Sequence, residues 1–177
     1  TEELKWLETI SQNISRIIEF RSMAKFVEGG TNERALTQVK AVDNEYPLIG
    51  TVQLASGKSF KDVFRQPKSA VMESDLASRL GIDIGETFSL GLTKFVLRDI
   101  IQSSPDDAGT NFGFGPRTIV KSEDLLDSGL IAPGTLFTAK YRLLIEPFEN
   151  LDELRTLAKI KFENNGMRWR DARNGAP

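Results

Sequence analysis

The sequence predicts an α+β fold in which a four-stranded sheet carries two helices and a strand-rich segment is inserted between the halves of that sheet. Three observations predict this class. The chain opens with a helical stripe and two strand patterns, it closes with a strand–helix–strand unit, and several short strand patterns separated by turns lie between them. The opening and closing units complete one sheet, so we expect residues 1–45 and 130–177 to form one subdomain and residues 46–129 a second.

The first predicted element is an amphipathic helix over residues 2–20. Acids occupy its first turn, and its apolar residues recur at helical spacing: Leu4, Leu7, Ile10, Ile14, Ile17 and Ile18. At about 1.5 Å per residue this helix would be close to 30 Å long. Two strands are predicted next, over residues 20–28 and 33–42, joined by residues 29–32, whose two glycines can take positive φ.

The segment 36–50 is a strand pattern that stops at a polar turn. Thr37, Val39 and Ala41 alternate with residues of the other face, and the Asp, Asn, Pro and Gly that follow are turn-forming residues. We interpret this segment as a hinge from which the chain leaves for the insertion.

The insertion is predicted to consist mainly of short strands. Ser74 is expected to cap a brief helix that runs to residue 80, where Gly81 supplies a left-handed stop. Residues 102–116 have neither helical nor strand period and predict a long surface loop, and residues 122–128 predict a helical turn. The predicted strands are 51–54, 69–72, 87–90, 94–101 and 117–121.

The closing unit is the clearest strand–helix–strand pattern in the chain. A strand is predicted over residues 136–146, and Asn150 is expected to cap a helix with Glu153 at the capping-box position. The helix should end at Asn165 and Gly166, and residues 167–172 should form the last strand, with Trp169 facing the core.

Composition excludes several classes of function. The chain has 177 residues, a formal net charge of −2, no Cys and no His. The balanced charge argues against a nucleic-acid partner, and the missing side chains are the commonest general base, the thiolate nucleophile and the main transition-metal ligands. No apolar run approaches the ~18 residues of a membrane span. We therefore expect no catalytic residues, no cofactor and no metal site.

The sequence motifs also predict no catalytic, nucleotide-binding or metal site. The glycine-rich run 109–115 lacks the Gly-Lys-Ser/Thr of a phosphate-binding loop and leads into a strand. The adjacent acids at 106–107 and 123–124 resemble a hydrolase pair or a calcium site only in composition, since neighbouring acids are usually solvated or lie in a helix first turn. A small hydrolase that uses Asp or Glu stays an alternative.

The candidate contact residues are Phe112 and Phe114, which alternate with glycines in the predicted loop. Large apolar side chains on an exposed loop are typical of a contact with a partner or cargo. The alternative is that both rings pack back and fix the loop.

Four segments carry a resemblance that covers nearly the whole chain. They are QVKAVDNEYPLIG, ESDLASRLGIDIGETFSL, GPRTIVKSEDLLDSGLIAPGT and MRWRDARNGAP. They are similar to segments of bacterial ABC-transporter permeases of the MacB/FtsX type, especially the large permeases with two extracytoplasmic domains.

This resemblance implies a non-catalytic, extracytoplasmic (periplasmic) domain of an inner-membrane permease. Residues 1–45 and 130–177 would be its porter-like subdomain and residues 46–129 its sabre-like subdomain. The implied partners are a second permease domain or subunit, a cytoplasmic ATP-binding subunit, and a lipoprotein, lipid or peptide cargo. The domain would couple ATP hydrolysis to movement of that cargo or to action on it. A soluble binding module unrelated to transport is the other alternative.

Overall fold

The computed structural model describes residues 2–11, 13–28, 31–105, 115–132, 134–145, 150–163 and 166–170. The helices are α1 (Glu2–Ile10), α2 (Phe60–Val63), α3 (Ser74–Leu80) and α4 (Leu151–Lys161), with a 3₁₀ turn at Ser122–Leu125. The strands are β1 (Asn13–Glu28), β2 (Thr31–Val42), β3 (Gln53–Leu54), β4 (Ser69–Glu73), β5 (Thr87–Leu90), β6 (Thr93–Ser103), β7 (Arg117–Lys121) and β8 (Thr138–Leu144).

The predicted opening helix is wrong in its second half. Helix α1 ends at Ile10, and strand β1 begins at Asn13 and runs for 16 residues. The side chains of Ile17 and Ile18 belong to two different core clusters, so β1 is buried on both faces at this point. Burial on both faces removes the alternation that marks a half-buried strand, and the remaining apolar spacing imitates a helix.

All eight strands join one sheet, in place of the predicted four-stranded sheet with two helices. The order is β2-β7-β4-β6-β5-β1-β8, and β3 pairs with β6. Strand β1 also pairs with β2 along the register from Ile17↔Val42 to Glu28↔Thr31. This additional pairing closes β1, β2, β7, β4, β6 and β5 into a ring, so the mixed α+β fold contains a barrel.

Strand β1 connects this barrel to the remainder of the fold. One edge of β1 pairs with β2. On the other edge, Asn13 to Glu19 pair with β8, and Ala24 and Lys25 pair with β5. The first half of β1 therefore lies beside β8 and the second half lies in the barrel wall.

Two core clusters lie on opposite sides of the barrel wall. The inner cluster takes side chains from all six barrel strands and from α3, including Phe88, Phe95 and Leu80, all 1% exposed or less. The outer cluster packs residues of the segment after β2, such as Phe60 and Phe64, against Val42 and other wall residues. Helix α3 thus fills the barrel interior while α2 covers part of its outside.

Most of the shorter predicted elements are confirmed. The five predicted middle strands match β3 to β7 within two residues at either end, and Gly81 ends α3 in the left-handed region with φ 64°. The expected Ser74 cap is wrong, because α3 already includes Ser74 and Glu73 precedes it. The Glu73 carboxylate instead pairs with Arg117, with Nη2 and Oε1 2.6 Å apart.

The closing unit keeps its strand and its helix but not its last strand. Strand β8 lies inside the predicted 136–146, and Asn150 Oδ1 accepts hydrogen bonds from the backbone N–H groups of Asp152 and Glu153, as a helix cap does. Residues 167–170 are not in a strand, and 171–172 lie outside the described residues.

The proposed division into residues 1–45 with 130–177, and 46–129, stays a prediction. Strands β1 and β2, from the first of these ranges, share the inner core with β4 to β7 from the second.

Candidate interaction surfaces

Phe112 and Phe114 lie outside the described residues, so their role stays a prediction. The residues that flank this segment are held firmly. The Pro116 carbonyl accepts hydrogen bonds from Thr37 Oγ1 (2.9 Å) and from the Gln38 backbone N–H (3.0 Å). On the other side of the segment, Pro105 packs closely against Gly50. A Cβ added to Gly50 would lie only 2.9 Å from Pro105 Cβ.

The turn that follows β2, within the segment that we interpret as a hinge, is attached to the start of β1 by the carboxylate of Asp43. Asp43 Oδ1 accepts hydrogen bonds from Ser15 Oγ (2.8 Å) and from the backbone N–H groups of Glu45 and Tyr46 (3.2 Å each). Asp43 Oδ2 accepts a short hydrogen bond from the Arg16 backbone N–H. Asp43, which belongs to the segment QVKAVDNEYPLIG, therefore joins the end of β2, the following turn and the start of β1.

Tyr46, in the same segment, forms a buried contact with a lysine. Tyr46 is 2% exposed, and its hydroxyl oxygen lies 2.9 Å from Lys40 Nζ, which donates to it, and 3.2 Å from Ser104 Oγ. The Tyr46 ring packs edge-on against Phe60, with centroids 5.8 Å apart. Tyr46 thus fixes the turn to β2, to the end of β6 and to α2.

The carboxylates relevant to a hydrolase serve structural contacts. Asp124 is buried and accepts from the Lys68 backbone N–H at 2.9 Å, whereas Glu123 pairs with Lys121 at the surface. Asp99 is fully buried and accepts hydrogen bonds from Ser56 and from the backbone N–H of Ile100. The pair at 106–107 lies outside the described residues.

Two absences hold for the part of the chain that the structure describes. In it, no group of three or more His, Cys, Asp or Glu is arranged to hold a metal ion. No helix among these residues has the length and apolar character needed to cross a membrane.

Helices α1 and α4 pack together at one end of the fold. The rings of Trp6 and Phe162 meet edge-on with centroids 5.7 Å apart, and Leu7, Ala158 and Trp169 join the same cluster. Trp169 therefore faces a core, as predicted, although not from a strand. An open groove of about 410 Å³ runs between the two helices. It is lined by Glu2, Glu3, Trp6, Leu157, Ile160 and Lys161.

A second exposed surface lies on the outer side of the β1–β2 pair. Met23, Val27 and Leu36 are 41%, 68% and 46% exposed there, and Lys25 and Arg34 are exposed between them. We call this surface the ribbon face. The sequence predicted the hairpin that carries this face, over residues 20–28 and 33–42, but not that its outer side is exposed. The β-branched isoleucines at 14, 17 and 18 were the available signal that the first strand begins before residue 20.

Comparison with known proteins gives the family. Residues 2–157 match the model of the MacB-like periplasmic core domain. This chain belongs to that family. It is thus an extracytoplasmic, periplasmic domain of a MacB-like ABC transporter permease of the inner membrane, and the family is not a known enzyme family.

The MacB-like domain has relatives of known sequence and structure. It is 27% identical over 138 residues to the uncharacterized ABC transporter permease YbbP of Escherichia coli K12, an alignment that covers 77% of this chain and 16% of YbbP. The chain therefore spans about a sixth of that relative.

Solved structures share its fold at low identity. The extracellular domain of the noncanonic ABC-type transporter YknZ from Gram-positive bacteria matches with a TM-score of 0.60 and 12% identity, over 94% of this chain and 84% of that one. The periplasmic region of MacB from Actinobacillus actinomycetemcomitans matches with a TM-score of 0.58 and 10% identity, over 93% and 72%.

Proposed function

We propose that this MacB-like domain is a non-catalytic transmission element. It passes movement driven by ATP hydrolysis on a cytoplasmic subunit to a lipoprotein, lipid or peptide cargo, or to a partner, outside the membrane. The observation that carries this proposal is the course of β1, which starts beside the α1–α4 contact and ends in the barrel wall.

The α1–α4 contact supports an attachment at one end of the domain. Trp6 and Leu7 lie near the start of the described chain, and Phe162 and Trp169 lie near its end, yet all four share one cluster. A domain carried between two membrane-spanning helices needs both connections at the same end. This end would face the membrane, and the barrel would face away from it.

Strand β1 is suited to carry a displacement outward. Its 16 residues correspond to about 50 Å of extended chain. The backbone of β1 is paired with β2 on one edge and with β8 and β5 on the other. A long strand held on both edges moves with its neighbours, so a shift at its start becomes a shift of the barrel.

The joint between α1 and β1 is fixed by Ser11. Its hydroxyl lies within hydrogen-bond distance of two carbonyls, those of Asn13 (2.9 Å) and Leu144 (2.8 Å), and can donate its single hydrogen to either of them. Its backbone N–H donates to the Leu7 carbonyl (3.1 Å). Ser11 is 6% exposed. One buried residue thus connects the last turn of α1 to both β1 and β8.

The family and the composition support the other proposed partners. They are a second permease domain or subunit and the cytoplasmic ATP-binding subunit, with no nucleic acid. Catalysis by the domain itself is not expected, because it has no His or Cys and because Asp43, Asp99 and Asp124 each accept hydrogen bonds that hold the fold.

The test uses the intact permease with its ATP-binding subunit in a membrane, with other cysteines removed. A fluorescent label on Val27→Cys, in the barrel part of β1, should change its signal between the nucleotide-free and ATP-bound states. Two glycines inserted after residue 12 should abolish this change and leave ATP hydrolysis running. Ser11→Ala should weaken the change.

Ser128→Ala is the matched control. Ser128 is 1% exposed, and its hydroxyl also donates to a carbonyl, that of Leu125 at 2.6 Å, but it lies away from the α1–β1 joint. The Ser128→Ala variant should lose about as much stability as the Ser11→Ala variant but keep the nucleotide-dependent signal. The proposal would be overturned if the wild-type signal did not depend on nucleotide. It would also be overturned if the nucleotide-dependent change persisted after the glycine insertion.

A further inference from the structure

We propose that the ribbon face is a docking surface for an acidic segment of a partner protein. The preference for a protein over a bilayer rests on the proposed orientation, in which β1 carries this face away from the membrane.

The central feature is a row of cations that crosses four strands. The register places Lys25 opposite Arg34 on one side and opposite Ser89 on the other, and Ser89 lies opposite Lys94. All four side chains point outward, because their neighbours Ala24, Ala35, Phe88 and Phe95 are in the inner core. Arg34, Lys25 and Lys94 are exposed.

This row is electrostatically unfavourable in the free domain. Lys25 and Arg34 are direct cross-strand partners, and like charges in that position destabilise a sheet. Among the described residues neither Lys25 nor Lys94 forms an ion pair. Glu19, the nearest acid on this face of β1, pairs with Lys140, with Oε2 and Nζ 2.5 Å apart. An anionic partner would relieve the repulsion.

Apolar side chains flank the row on both sides. Met23 and Leu36 are direct cross-strand partners one step nearer the start of β1, and Val27 lies one step nearer its end. Cations between apolar rows match a segment that has both carboxylates and apolar groups. A free phosphate ion would leave the apolar rows uncovered.

The spacing fits an extended chain that crosses the strands. The row extends over three strand spacings of about 4.8 Å, or about 14 Å. In an extended peptide, alternate side chains on one side are about 6.8 Å apart, so three carboxylates also span about 14 Å.

The test measures binding of the purified chain to a short, end-capped peptide with three Glu at alternate positions, and the same peptide with Gln in place of Glu serves for comparison. The wild-type chain should bind the acidic peptide, more weakly as salt is raised. The variant with Lys25→Gln, Arg34→Gln and Lys94→Gln should bind about tenfold more weakly, since each exposed ion pair changes the dissociation constant about twofold.

The matched control neutralises three exposed cations that lie outside the ribbon face, with Lys58→Gln, Lys61→Gln and Arg65→Gln, and should bind like the wild type. No binding of the acidic peptide, or equal binding by the two triple variants, would overturn the proposal. So would binding to phosphatidylglycerol vesicles in place of the peptide, which would indicate a bilayer. The assay needs neither ATP nor the membrane, so its failure is distinguishable from failure of the transmission proposal.

Discussion

Asp43→Ala should destabilise the domain by about 3–4 kcal/mol. The carboxylate accepts four hydrogen bonds, from Ser15 Oγ and from the backbone N–H groups of Arg16, Glu45 and Tyr46. Ser15 is fully buried, so its hydroxyl would lose its acceptor with no access to water, at a cost of about 1–3 kcal/mol. The bonds in the partly exposed turn contribute about 1 kcal/mol each or less, because water can replace them.

The assay is urea unfolding of the purified chain, with the free energy from linear extrapolation. Asp43→Asn keeps one acceptor oxygen and should cost only about 1–2 kcal/mol. Ser15→Ala should cost about 1 kcal/mol in the wild-type chain. When Asp43 is already Ala it should instead restore part of the lost stability, because it removes the buried hydroxyl that the first substitution leaves unpaired.

Asp127→Ala is the control, since Asp127 is exposed; its effect should stay within about 0.5 kcal/mol. If Asp43→Ala cost under about 1 kcal/mol with an unchanged slope against urea, this carboxylate would not be what fastens the turn to β1.

Four further predictions concern the turn between β5 and β6, the ribbon face, the predicted loop 102–116 and catalysis. Gly91→Ala should cost about 2 kcal/mol or more in thermal unfolding, because Gly91 has φ +57° and a Cβ there would lie 2.4 Å from the Ser128 carbonyl oxygen; an unchanged melting temperature would contradict this contact. Lys25→Gln should stabilise the free domain by about 0.2–0.5 kcal/mol at low salt, and the gain should vanish in concentrated salt; a gain that persists there would not be electrostatic. Replacing Phe112 and Phe114 by Ser should barely change stability but impair the intact permease, whereas a loss of about 3 kcal/mol or more would identify them as core residues. Esters, glycosides, phosphoesters and peptides should not be turned over; a turnover lost on replacing one Asp, Glu or Ser would restore the hydrolase alternative.

Prediction from sequence succeeded where local chemistry decides the structure. Asn150 is a helix cap because its side chain reaches N–H groups two and three residues on, and Gly81 ends α3 because glycine takes positive φ at little cost. The short strands β5 and β7 match their predicted bounds, and β5 lies between two turns whose glycines, Gly85 and Gly91, have positive φ.

Prediction from sequence failed where the local structure depends on contacts with a distant part of the chain. Ile17 and Ile18 are both buried because one faces the barrel interior and the other faces the outer cluster, and no periodicity within residues 2–20 reveals a strand covered on both faces. The cation row was hidden for the same reason. Lys25 and Arg34 lie on the predicted hairpin, but Lys94 lies in a distant part of the chain, and only the pairing of β2, β1, β5 and β6 places the three side by side.

The sequence by itself determined the mixed α+β class, most of the short elements, the absence of His and Cys, and the family motifs. Each of these depends on residue identity or on neighbours within a few positions. Only the tertiary structure decided that β1 is one long strand, that six strands close a barrel, and that Asp43 joins the turn after β2 to the start of β1. The physical reason is that strand pairing and two-sided burial depend on contacts between distant segments, and local patterns do not record which segments meet.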